Sequence, residues 1–122
     1  MQKKTVNVLG TEYTIETHKI SDDSYLKDNN FCGYCDEEEK LIVIADTSEK
    51  EFFGELNEKA QKSYSNKTLR HELIHAFFNE SGLSASALIT NAAWSKNEEM
   101  IDWFAIQSPK IFKLFQELDI LY

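Results

Sequence analysis

His71 and His75 stand four residues apart, with Glu72 beside the first, in the stretch His71-Glu72-Leu73-Ile74-His75. On a helix, positions i and i+4 share a face about one turn apart. Two imidazole nitrogens set this way can hold one tetrahedral metal ion, usually zinc. The next carboxylate, Glu72, falls at the edge of the same site, where it can take a proton from a water activated there. Two ligands and a general base at fixed spacing point to metal-dependent hydrolysis.

A catalytic zinc needs a third protein ligand and one open position. Asn97-Glu98-Glu99-Met100-Ile101-Asp102 offers one. Glu98 and Asp102 are i and i+4 on an expected helix. Glu98 is the favoured ligand, and Asp102 can accept the other ring N–H of a ligand histidine and fix its tautomer. Glu99, rotated by about 100° around the helix, is the rival. His18, at the end of an expected strand, is a weaker alternative. Cys32 and Cys35 have half of a zinc-ribbon spacing, but no second pair exists, so they read as ordinary thiols near a turn.

These residues need elements to hold them. Thr5–Leu9 and Tyr13–Thr17 alternate polar and apolar about Gly10-Thr11, which predicts a β-hairpin. Leu41-Ile42-Val43-Ile44-Ala45 predicts a third strand after the acidic turn Asp36–Glu39. Ser21–Asn30 reads as loop with at most one helical turn. A helix is expected after Asp46, with Thr47 or Ser48 as its cap and Phe52, Phe53, Leu56 and Ala60 on one face. The motif helix should begin anew near Asn66 and end near Gly82. Leu83–Ala93 fits helix or loop. A helix from about Ser95 to Gln107 should be interrupted at Pro109, and a last amphipathic helix follows through Ile111–Leu118. Strands first and helices after predict an α+β fold, with an N-terminal antiparallel sheet of about three strands.

The chain has 122 residues, 42% of them hydrophobic, with eight Phe, five Tyr and two Trp. That suits one domain over residues 1–122 with one core. A net charge of −8 would repel nucleic-acid phosphates and anionic lipid, so neither is an expected partner. No apolar run has the length of a signal peptide or membrane span, and two cysteines make no disulfide framework. A cytoplasmic protein is expected.

His71-Glu72-x-x-His75 with the downstream Asn97-Glu98-x-x-x-Asp102 resembles the gluzincin metallopeptidases. The stretch Glu98–Pro109 is similar to the ImmA/IrrE-type peptidases of bacteria and mobile elements. Gly33-Tyr34-Cys35-Asp36 before an apolar strand is similar to small phage and prophage proteins of that type. Ile101 and the ending Ile106-Gln107-Ser108-Pro109 depart from the usual pattern there. Phe78 and Ser81 stand where the metzincins need Gly and His, which excludes that branch. The resemblance implies a zincin-like domain with Zn²⁺ held by His71, His75 and Glu98.

The expectation is therefore a zinc peptidase acting on a peptide or protein substrate, with Glu72 as general base. His18, Tyr34 and Tyr122 are candidates for stabilising the oxyanion. The strand Leu41–Asp46 is expected to lie along the cleft, where an extended substrate could pair with it. Two alternatives stand beside this one. A domain this small could use the metal for stability in a non-enzymatic binding module, or it could hydrolyse another amide.

Overall fold

The computed structural model describes residues 3–83 and 94–122. Four strands form the N-terminal part: β1 (Lys3–Val8), β2 (Thr11–His18), β3 (Gly33–Asp36) and β4 (Leu41–Ala45). The helices are α1 (Ser24–Asn29), α2 (Lys50–Phe53), α3 (Glu58–Glu80) and α4 (Glu98–Glu117). Short 3-10 turns lie at Ile20–Asp22 and Trp94–Lys96. The α+β order agrees with the sequence. The sheet does not: it has four strands in the order β1-β2-β4-β3 and is mixed. The β1–β2 and β3–β4 pairs are antiparallel, but β2 and β4 run parallel. The expected three-stranded antiparallel sheet is thus corrected on both counts.

Each strand has a local reason. Leu9 and Gly10 both take positive φ, 50° and 94°, as a two-residue type I′ hairpin turn requires. The Gly10 N–H donates to Asn7 Oδ1 at 2.8 Å and tightens the turn. In the β3–β4 hairpin, Asp36 Oδ1 accepts from the N–H groups of Glu38 and Glu39, so the acidic run is a turn. β4 is apolar throughout because both its faces are covered and it has strands on both sides. Ile42 and Ile44 join Val8, Tyr13, Ile15 and Ala76 under α3. Val43 and Ala45 join Ile20 and Leu26 on the opposite face. The segment expected to be loop, Ser21–Asn30, carries α1, capped by Asp23 through the Leu26 N–H.

The helices are longer than their sequence signals. α3 runs unbroken for 23 residues, about 34 Å, and is capped by Asn57, not by Ser65 or Asn66. Ser65 lies inside it, with its hydroxyl on Thr47 Oγ1 at 3.3 Å. The helix expected after Asp46 is confined to the single turn of α2. Gly82, at φ 84°, lies two residues beyond the end of α3.

α4 passes straight through Pro109. A helical residue donates to the carbonyl four positions back, and Pro109 has no N–H to give Ala105. Arg70 Nε on α3 donates to that carbonyl instead, at 2.6 Å. Ala105 is fully buried, so an unpartnered carbonyl there would be costly. This bond explains why the expected interruption is absent, and it ties α4 to α3 one residue before His71. Most of Leu83–Ala93 lies outside the described residues.

Candidate metal centre

α3 presents Tyr64, Thr68, His71, His75 and Asn79 along one face, at spacings of three and four residues, with Glu72 beside His71. With β3 on one side and Ser95, Lys96, Glu98 and Asp102 on the other, they line a cleft of about 690 Å³. The imidazoles of His71 and His75 lie 5.0 Å apart between centroids, inclined by 64°. Ligand atoms of His71, Glu72 and His75 all fall within 4.8 Å of one another.

α4 brings the remaining groups. Asn97 caps it by accepting the Met100 N–H at 2.8 Å, which makes Glu98 the first helical residue. Glu98 reaches both histidines: Oε2 is 3.0 Å from His71 Nε2, and Oε1 is 3.0 Å from His75 Nε2. One turn on, Asp102 Oδ1 lies 3.4 Å from His71 Nδ1. Glu99 is exposed and does not line the cleft. Of the two rival acids, Glu98 is the one at the histidines.

This donor set fits a divalent cation. His71 Nε2 and Glu98 Oε2 stand at hydrogen-bond distance, with the tautomer deciding which holds the proton, and the same pair of atoms can instead share an ion. Two imidazole nitrogens and one carboxylate match the His₂Glu ligand set of catalytic zinc sites.

Glu72 is set differently. Burial raises its carboxyl to about 8, and the charge of Glu98 adds to the shift. Burial also lowers His75, against the pull of Glu98. Gly33 explains how Glu72 comes to be covered. A Cβ on Gly33 would lie 2.9 Å from Thr68 Cγ2, 2.9 Å from the Val43 carbonyl oxygen and 3.3 Å from Glu72 Oε2. Only a residue without a side chain lets β3 approach α3 this closely.

Of the expected oxyanion donors, His18 and Tyr122 do not line the cleft, and Tyr34 lines it with its hydroxyl turned to Asp23. His18 lies on the other face of β2, with Nδ1 2.6 Å from Asp23 and Nε2 2.8 Å from Glu16. Burial lowers its pKa, but the hydrogen bonds to Asp23 and Glu16 prevail and raise it. Its ring is clasped between two acids, which favour its protonated form. The Tyr34 hydroxyl donates to the same Asp23 at 3.0 Å. Tyr122 is fully exposed and lines no part of the cleft. Tyr64 does line it, with its hydroxyl 3.3 Å from Cys32 Sγ. Sequence reasoning missed Tyr64 because it placed the residue before the helix. Counting back seven from His71 along the true α3 finds it. Cys35 also faces the cleft; burial, with Glu72 nearby, pushes its thiol up to about 12, so it is an inert thiol near neutral pH.

Compared with protein-family models, curated proteins and solved structures, the chain matches none. Among the described residues, no helix is long and apolar enough to cross a membrane.

Proposed function

We propose that this chain is a zinc-dependent peptidase in which His71, His75 and Glu98 hold the ion and Glu72 is the general base. The observation that carries it is the single carboxylate of Glu98 set 3.0 Å from both ring nitrogens, beside a buried Glu72. Bound zinc supplies a Lewis acid that acidifies water and polarises a carbonyl. Asp102 orients the His71 ring through Nδ1. Glu72 holds the proton-accepting position at the cleft wall. Beside a cation its carboxylate form is favoured, so the pKa of about 8 falls back into the range of a working base. It takes the proton of the attacking water and passes it to the leaving amine.

The sheet supports a peptide as the substrate class. β4 is paired on both sides and cannot accept another strand, contrary to the sequence expectation for Leu41–Asp46. β3 is the edge strand beside the cleft, and an extended peptide can add to it through main-chain hydrogen bonds. The test joins metal analysis of the purified protein to a peptide-library cleavage assay. Zinc at one equivalent with cleavage by the wild type is expected; zinc-loaded protein that cleaves no peptide or protein overturns the proposal.

A further inference from the structure

Among the described residues, α4 carries more apolar surface than its packing covers. Ile101, Ala105 and Ser108 are its buried residues, and α3 is its main neighbour among the described elements. A second stripe lies beside them, with Phe104, Ile111 and Leu118 seven residues apart and Gln107 and Leu114 between. Phe104 is 36% exposed, Leu114 51% and Leu118 59%. A seven-residue repeat with a second position three residues on is the seam of a two-helix coiled coil. So much apolar side chain in water marks an interaction surface.

The charges beside the stripe say what covers it. Lys110 and Glu117 directly precede Ile111 and Leu118, so both flank the seam on the same edge, seven residues apart. In an antiparallel pair of identical helices, this edge meets itself, and Lys110 of each copy faces Glu117 of the other. In a parallel pair the edge meets the opposite one, which carries Ser108 and Phe115 and no charge. The ends of α4 support the same arrangement. Its last turn holds Glu117 and no basic residue, which runs against the helix dipole. An antiparallel copy brings a lysine to that end. Among the described residues, the only ion pair Glu117 makes is a long one, 4.0 Å to the exposed Lys113, and a pair of that kind is weak.

We infer that the Phe104–Leu118 stripe of α4 is an isologous dimer interface, on which a second copy of this chain docks antiparallel with reciprocal Lys110–Glu117 pairs. The Ile111 and Leu114 side chains of the two copies then form the central layers. The contact lies on the outer side of α4, and it does not depend on the peptidase proposal.

Sedimentation equilibrium of the full chain tests this. The wild type is expected to dimerise, and Leu114→Asp to be monomeric with an unchanged circular-dichroism spectrum. Lys110→Glu and Glu117→Lys should each raise the dimer dissociation constant by about tenfold or more, since each puts like charges together twice. Mixed in equal amounts, these two variants should recover a heterodimer of near wild-type affinity. A monomeric wild type would overturn the inference. So would charge variants that dimerise as the wild type does, or a mixture no tighter than its parts.

Discussion

Glu72 and Glu80 are two glutamates on one helix, two turns apart, with opposite surroundings. Glu80 accepts from Tyr13 Oη at 2.7 Å, Lys40 Nζ at 2.9 Å and Thr11 Oγ1 at 2.8 Å. Those bonds, led by Tyr13 and then Lys40, hold its carboxyl down to about 2. Glu72 makes no comparable set of bonds; burial and the charge of Glu98 raise it to about 8. The same side chain is a finished structural lock at the end of α3 and a buried acid, held towards its protonated form, in its middle. A buried acid of this kind costs stability where the Glu80 lock adds to it, and such acids cluster at functional sites.

The sharpest way to test that contrast is to neutralise each glutamate in turn. Glu72→Gln keeps the size and removes the base. Peptide turnover should fall by about 100- to 10,000-fold, with zinc content by metal analysis unchanged. Glu80→Gln should leave turnover within about twofold, because it lies at the far end of the helix. Equal losses in both variants would mean that Glu72 acts through stability alone.

Gly33 and Arg70 test what holds the Glu72 side of the comparison in place. Gly33→Ala puts a methyl against Thr68 and Glu72 and must force β3 outward. It should cost about 1–3 kcal/mol in denaturant unfolding and lower turnover as well. Arg70→Leu strands the buried Ala105 carbonyl and should cost about 1–3 kcal/mol. Adding Pro109→Ala restores the helical N–H that the carbonyl lacks. The double variant should therefore be more stable than Arg70→Leu alone. If the two changes merely add their costs, the Arg70 bond is not what accommodates the proline.

Those two residues also show why the sequence was legible in some places and opaque in others. The His71–His75 pair and the Glu98–Asp102 pair are helical spacings, and helical geometry is local. β4 announced itself because both its faces are apolar. β3 did not, because Gly33–Asp36 is four residues long and its glycine answers to α3, far off in sequence. Nor does chain order show that β2 and β4 run parallel. The first two turns of α3, Glu58–Ser65, carry few apolar residues, so Asn57 was overlooked as the cap. Pro109 read as a break because its compensation comes from Arg70, on another helix. His18 and Tyr34 looked available for catalysis only while the face of the sheet they occupy was unknown. Local patterns were readable; pairings between distant segments were not.

The pH dependence of stability should separate the two glutamates with the smallest perturbation, because it needs no mutation to begin. Glu80 has a folded pKa of about 2, below the ordinary glutamate value of 4.5. Between those values the unfolded chain binds the extra proton, so stability is present above about 4.5 and is lost as pH falls towards 2. Glu72 runs the other way. Its folded pKa of about 8 exceeds the same ordinary value of 4.5. In metal-free protein the folded state therefore keeps the proton that the unfolded chain releases, and stability declines as pH rises from about 4.5 to about 8. Unfolding free energies measured in chelator across both windows should show a rise, then a fall. Glu80→Gln should flatten the acid limb alone, and Glu72→Gln the neutral limb alone. Zinc should erase the neutral limb in the wild type, since a cation beside Glu72 removes the penalty on its charge. A neutral limb that survives saturating zinc would place the ion away from Glu72 and separate the buried acid from the metal site.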